Sequence, residues 1–560
     1  MNHKIEQDGE TLNTALTYHE RTKHHYHRYA NSLGYMDWAT QPDPFRRYEG
    51  APLVSLRIPK QDRTPRYDRI FHLNSAEVVP VNFETISEFF YYSLAISAWK
   101  QYGENRWALR VNPSSGNLHP TEGYMVAPAI EGLCQGPAVY HYAPREHGLE
   151  RRTEFSEELW NDLTKEFPPH AFLVGLSSIY WRESWKYGER AYRYCQHDAG
   201  HALAALRISS ALFGWRLYFL NNVPDEQISY LLGLNHSEGV HPMERESPDM
   251  LAVILPDAKP NPAVMEFHLS ENALGSIGQG KWIGTANRLS RDHYEWQVID
   301  SVSQACWKPV GAQMPSPARP ISKKPFPNLA GRIDASAGRI VRQRRSALAM
   351  DGTTGMTRDQ FYATLSRVIS WLTDMPWDSI SWGGFVHLGL FVHRITGLEP
   401  GLYVLIRNEL KRDSLKERMA PGFLWQKPPE VPDGLALYFL RGDDVKLLAS
   451  QVSCHQAIAG ESAFSLGMLA EFEPAISHYG AHFYRNLFWE TGMIGQVLYL
   501  EAEAFGYRST GIGCFFDNPM HEAFGLKSRD YQSLYHFTIG GPVQDARLTT
   551  LPAYFHLRQK

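Results

Sequence analysis

The sequence repeats itself. Residues 187–200 read YGERAYRYCQHDAG, and residues 479–492 read YGAHFYRNLFWETG. The Tyr-Gly pairs, Tyr192-Arg193 against Tyr484-Arg485, and the closing glycines Gly200 and Gly492 share one offset, 492 − 200 = 292. The offset persists at Phe213-Gly214 against Phe505-Gly506, and at Gly233-Leu234 against Gly525-Leu526. Between these anchors, HALAALRISSALFGW and MIGQVLYLEAEAFGY carry apolar residues at helical spacing and stop at a glycine. Each therefore predicts a long helix buried on most sides. A duplicated unit of this kind forms a pseudo-twofold pair inside one chain.

Upstream, GPAVYHYAP (136–144) and EPGLYVLIR (399–407) read as equivalent strands, aligned through Tyr140 and Tyr403 at an offset of 403 − 140 = 263. A chain of 560 residues exceeds what one core usually serves. The stretch 256–335, with its run QMPSPARPISKKPFPN, reads as the interdomain connection. Two units are expected, 1–255 and 336–560, and their mixture of helical and alternating segments suggests an α+β fold. The net charge of −4 gives no bulk reason to expect nucleic acid as a partner. Five scattered cysteines without a CxxC pair argue against a disulfide framework or a thiolate metal site. The polar start MNHKIEQDGETLN and the lack of an apolar run of about 20 residues predict a cytoplasmic chain outside the membrane. The histidines His19, His24, His25 and His27 fit no defined metal-ligand spacing.

Three segments carry chemistry. Arg344-Arg345-Ser346, ahead of a predicted helix TRDQFYATLSRVI, sets two rigid forks of donors and a hydroxyl together, which suits a phosphate; a solvated basic turn reads the same way. Pro113-Ser114-Ser115-Gly116-Asn117 is a loop of small polar residues that lets backbone approach a planar ligand, with Asn117 able to donate and accept; it also reads as a β-turn. Residues 511–517, GIGCFFD, place Gly511 and Gly513 where backbone N–H groups could face a ligand edge, followed by two phenylalanines that could wall a ring.

These motifs, with WKYGERAYRYCQHDAGHA (185–202) and PSSGNLHPTEGY, resemble the nitroreductase-like FMN flavoproteins, and among them the SagB-type azoline dehydrogenases. The resemblance implies two tandem nitroreductase-like domains, each a mostly antiparallel sheet flanked by helices, forming an intramolecular pseudo-dimer with FMN at the interface. It implies that Arg344, Arg345 and Ser346 hold the ribityl phosphate and that backbone near Phe516 and Asp517 approaches the flavin N5 edge. Pro113, Ser114, Ser115 and Asn117 would reach across from the first domain, and Arg547 is the candidate for a late phosphate-binding residue. It implies a functional Lys-Tyr pair at Lys186-Tyr187, removing a proton while the flavin takes two electrons. Substrates would be thiazoline- or oxazoline-like groups of peptides or small molecules, with a cyclodehydratase-type maturation partner. Two alternatives remain: an NAD(P)H-dependent nitro- or quinone-reductase, and a flavin-binding or non-catalytic subunit of a peptide-modifying complex.

The repeat predicts one site. At offset 263 the PSSGN loop falls opposite Pro376-Trp377-Asp378-Ser379-Ile380, without the asparagine. In the first copy Arg46-Arg47-Tyr48 and Arg66-Tyr67-Asp68 are the nearest matches to RRS, and neither ends in serine. At the offset of 292 GIGCFFD falls on LYFLNNV and its neighbours, which lack the glycines. Each copy keeps the half of a pocket that the other has lost, so one FMN per chain is expected.

Overall fold

The computed structural model describes residues 2–71, 77–256, 267–315, 333–370 and 374–557. Each half is built on an antiparallel sheet. In the first, the strand order is Leu53–Ser55, Gly148–Glu154, Ala138–Ala143, Thr121–Ala127, Phe172–Ser178, Ser247–Leu255, Arg216–Phe219. In the second it is Leu437–Gly442, Gly401–Leu405, Val386–Val392, Phe464–Glu471, Tyr531–Gly540, Arg508–Ile512. The orders match strand for strand once the extra edge strand Leu53–Ser55 is set aside. The fold is α+β, and the duplication seen in the sequence is a duplication of architecture.

The repeated segments form the helices Ala191–Leu212 and Phe483–Ala504, which pack against each other between the two sheets. Every residue of the first is buried, as the apolar spacing demanded. Both end where expected, at Gly214 and Gly506, whose φ of 72° and 80° favour a residue without Cβ. The repeated glycines mark the crossing. A Cβ on Gly200 would collide with the backbone carbonyl of Trp489, and one on Gly492 with that of His197. The pseudo-twofold axis therefore passes where only glycine lets the two backbones meet.

Ion pairs repeat about the same axis. Arg193 pairs with Asp517 at 2.8 Å, and Arg485 with Asp225 at 2.6 Å, each 292 residues from its counterpart. Asp225 and Asp517 open the helices Asp225–Leu232 and Asp517–Phe524, so each carboxylate sits at a positive helix end as well as beside a guanidinium.

Chain segments also cross between halves. The first helix, Asn2–Arg21, brings His19 against the Phe472 ring, and the strand Thr549–Leu551 pairs with Ile96–Tyr102. The Pro- and Gly-rich stretch 256–335 does more than connect. Within it the helices Glu271–Gly278 and Gln297–Ala305 bury Leu274, Ile277, Ile299 and Val302. Their apolar residues at helical spacing outweigh the breakers around them. Most of the run QMPSPARPISKKPFPN lies outside the described residues. Among the described residues no helix is long and apolar enough to cross a membrane.

Candidate active site

The first long helix is buried throughout, yet it carries Tyr194, His197, Asp198 and His201. Residues three and four apart share a helix face, so these four form one polar stripe. The loop 113–117 lies against it. Ser115 donates to Asp198 from its backbone N–H at 3.0 Å and from its hydroxyl at 3.1 Å. Gly116 and Asn117 have φ of 59° and 60°, which turn the loop sharply. Asn117 shapes that turn, giving its amide N–H to the Ala108 carbonyl at 2.9 Å while its oxygen meets His119 Nε2 at 3.1 Å. The Ser114 hydroxyl accepts from the His119 N–H and stands 3.5 Å from Glu183, and Pro113 is buried.

Lys186 and Tyr187 end the short helix Tyr180–Tyr187, with the Lys186 ammonium 5.3 Å from the Tyr187 ring centre. Tyr187 reaches the loop, since a Cβ on Gly116 would lie 2.6 Å from its hydroxyl oxygen. Its ring packs on Tyr194 at 4.4 Å between centroids. Tyr194 in turn occupies the space a side chain on Gly513 would need, and Tyr535 does the same at Gly511.

The second half supplies the basic end. Arg344-Arg345-Ser346 follows the helix Ala337–Gln343 at its C-terminus, rather than opening the helix Arg358–Arg367. Ser346 Oγ is 2.9 Å from the Tyr499 hydroxyl, which accepts from the Gly511 N–H at 2.9 Å. The Arg344 guanidinium covers the Tyr499 ring and donates to the Arg110 carbonyl of the first half at 3.0 Å. Arg345 donates to the Ser97 carbonyl, also of the first half, at 3.2 Å. The two halves thus meet here.

Charge is distributed unevenly across the site. Burial pushes the Asp198 carboxyl up to about 7, against hydrogen bonds from Ser114 and Ser115 that pull the other way. Burial, and next the Asp198 charge, hold Glu183 well above the carboxylate range, and Glu183 Oε2 finds no hydrogen-bond partner among the described residues. Burial holds the Tyr187 phenol well above its usual value, so it is neutral and able to donate. At the other end burial lowers Arg344 to about 10, and burial with repulsion from Arg344, Arg342 and Arg508 lowers Arg345 to about 9. Among the described residues neither arginine has a carboxylate partner, and Arg344 Nε is buried without an acceptor. Arg508, by contrast, is paired with Glu503.

The structure therefore brings together the loop 113–117, Lys186, Tyr187, Gly511, Gly513 and the Arg344–Ser346 tripeptide. It leaves three expected residues out. Arg547 is exposed and paired with Asp545 at 2.8 Å. The Phe516 N–H donates to the Val452 carbonyl and the Asp517 N–H to the His24 carbonyl, so neither is free for a flavin edge. The Asp517 carboxylate is held by Arg190 and Arg193. At Gly511 and Gly513 tyrosine rings, those of Tyr535 and Tyr194, occupy the space beside the glycines.

Residues 397–541 match the Nitroreductase family. That segment runs from just before the strand Gly401–Leu405 to the end of the strand Tyr531–Gly540. A putative nitroreductase from Anabaena variabilis is similar along both chains, covering 95% of this chain and 99% of that one at 20% identity, with a TM-score of 0.66. A putative nitroreductase from Exiguobacterium sibiricum, solved with FMN, is 15% identical over 37% of this chain and 88% of its own, at a TM-score of 0.21. The E. coli microcin synthetase McbBCD complex with truncated pro-MccB17 bound contains a chain 17% identical over 45% of this chain and 94% of its own, at 0.26. At these identities the likeness is one of fold. A comparison with curated proteins gave no match.

In the other half of the fold the equivalent region is packed shut. Trp377, Trp382 and Trp489 are each at most 1% exposed, and Arg207 pairs with Asp378 at 2.7 Å. Glu490, the counterpart of Asp198 at offset 292, accepts from the Gly384 N–H and is ion-paired with Arg407. Arg46 is tied to Glu246, and Arg66 to Asp68. Sequence reasoning missed Tyr194, Asp198, Tyr499, Tyr535 and Glu183. The polar stripe on an otherwise buried helix was the available signal for Tyr194 and Asp198; Tyr499 and Tyr535 carried none.

Proposed function

We propose that the chain is an FMN-dependent oxidoreductase with one flavin site at the seam between its halves. The observation that supports this most is the pair Arg344-Arg345, two desolvated cations without a carboxylate beside a serine hydroxyl. Such a donor set fits a phosphate monoester. The tyrosine walls at Tyr187, Tyr194, Tyr499 and Tyr535 suit a flat aromatic ring system. Arg344, Arg345 and Ser346 would hold the phosphate, and the loop 113–117 would close the ring end from the first half. When bound, FMN supplies a two-electron acceptor.

The finer reading is a dehydrogenase of SagB type acting on azoline-like groups of peptides or small molecules. Oxidation of an azoline releases a proton, and the site's own groups can take it. Asp198, poised near neutrality, is suited to accept it. Tyr187, a buried neutral phenol beside the Lys186 ammonium, can orient and relay. Azolines arise by cyclodehydration, so this reading places a cyclodehydratase before the enzyme.

Titration of the purified protein with FMN and with riboflavin tests the proposal. One FMN per chain is expected, bound much more tightly than riboflavin, which lacks the phosphate. Equal affinity for both, or two FMN per chain, would sink it.

A further inference from the structure

Beside the site, directly after Gly513, the fold presents two thiols to each other. Cys454 Sγ lies 2.9 Å from Cys514 Sγ, and both residues are partly exposed. A disulfide spans about 2.05 Å, so the sulfurs stand about 0.9 Å from bonding distance. Hydrogen bonds, one from backbone and one from a side chain, hold the two loops in this register on both sides of the pair. The Phe516 N–H donates to the Val452 carbonyl at 2.8 Å, and the Gln456 amide to the Cys514 carbonyl at 3.0 Å. Cys454 itself sits at φ 54°, a left-handed conformation that a non-glycine residue adopts at some cost. That turn is what aims its side chain across the gap.

We propose that Cys454 and Cys514 are a redox pair that closes to a disulfide by exchange with small-molecule disulfides of the glutathione type. The Cys514 thiolate attacks the external disulfide, forming a mixed disulfide and expelling one thiolate. Cys454 then attacks the Cys514 sulfur and expels the second. Two protein thiols become one disulfide, one external disulfide becomes two thiols, and the two protons pass from protein to product. The order of attack follows the surroundings. The Cys454 thiol and then the Arg190 guanidinium hold Cys514 below its usual value, while Cys454 is pushed far up by its contact with Cys514 and by burial. Dithiol pairs of this kind in reducing compartments are mostly transient and redox-sensing. The bond would tie the Gly511–Gly513 segment to the loop after the helix Lys446–Val452, fixing one wall of the site.

The test is a titration of the full-length protein with oxidised and reduced glutathione, followed by acid quenching, alkylation and intact-mass thiol counting. The wild type should fall from five thiols to three, with peptide mapping joining the Cys454 and Cys514 peptides. The Cys454→Ser variant should stop at one glutathione adduct on Cys514, and Cys134→Ser should leave the cross-link intact. A wild type that retains both thiols, carries two stable adducts, or cross-links a different pair overturns the proposal. Because thiols are counted whether or not flavin is bound, failure here is distinguishable from failure of the FMN reading.

Discussion

Replacing Asp198 by Asn tests the electrostatic logic of the site. The carboxyl is 1% exposed, and among the described residues no cation stands beside it and its support comes from Ser114 and Ser115. Asn keeps an oxygen for the Ser115 N–H, so the substitution removes a charge and little else. A group raised from 3.8 to about 7 contributes stability that is complete below 3.8 and is lost as pH rises to about 7. At about 1.4 kcal/mol per pH unit, that displacement amounts to about 4 kcal/mol. The melting temperature of Asp198→Asn should therefore gain on that of the wild type steadily from pH 4 to 7 and level off above. Infrared titration gives the direct reading: a protonated-carboxyl band that fades near pH 7 in the wild type and is missing from the variant. Glu183 contributes a similar band, and its elevation owes something to the Asp198 charge, so Glu183→Gln is measured in parallel. A melting difference independent of pH, with no band lost near 7, would refute the argument that burial without a counter-charge sets this group.

Other substitutions probe the remaining features. Arg345→Ala should weaken FMN binding roughly tenfold to a hundredfold, the worth of a charge-assisted contact. It should leave the flavin-free protein as stable or more so, because it removes a desolvated cation repelled by its neighbours; equilibrium dialysis and a thermal melt read both. Glu490→Gln should destabilise by about 3–5 kcal/mol by stranding the buried Arg407, and an unchanged denaturation midpoint would contradict that. Gly200→Ala should cost at least about 1–3 kcal/mol, since its methyl group meets the Trp489 backbone at the helix crossing; retention of the wild-type melt would show that the helices can separate there.

Much of the fold was legible in the sequence because duplication leaves a register. The offset of 292 located both long helices and their glycine stops, and strands around Tyr140 and Tyr403 formed where alternation placed them; that Gly200 and Gly492 mark the crossing is visible only in the fold. Local motifs singled out the loop 113–117 and the Arg344–Ser346 tripeptide, which the fold sets along one seam between the halves, since turn chemistry and clustered charge are read over a few residues. What failed depended on distant partners. Asp517 looked like part of a flavin edge because its neighbours in sequence are glycines and phenylalanines. Only the fold shows that Arg190 and Arg193, more than 300 residues earlier, claim it. The same offset already held the clue, because it sets Asp517 on Asp225 and Arg193 on Arg485, and a pair repeated by symmetry is a pin for the scaffold.

The two halves keep one backbone and part company in charge. Asp198 and Glu490 stand at equivalent positions on equivalent helices, and each accepts from the N–H of a loop laid over it. Glu490 has Arg407 against it and tryptophans packed around it, so its charge is neutralised and its surroundings are closed. Among the described residues Asp198 has no such cation and lies against tyrosines and the loop 113–117, and the arginines without carboxylates are gathered at the other end of the same seam. A scaffold under selection for stability alone has no reason to leave a carboxyl unpaired at one end and two cations unpaired at the other. Both costs are met by a ligand that is anionic at one end and takes part in proton exchange at the other. On the proposed reading that requirement falls on one side of the pseudo-twofold axis only, so a single seam would carry the function while the equivalent region of the other half is packed with tryptophans.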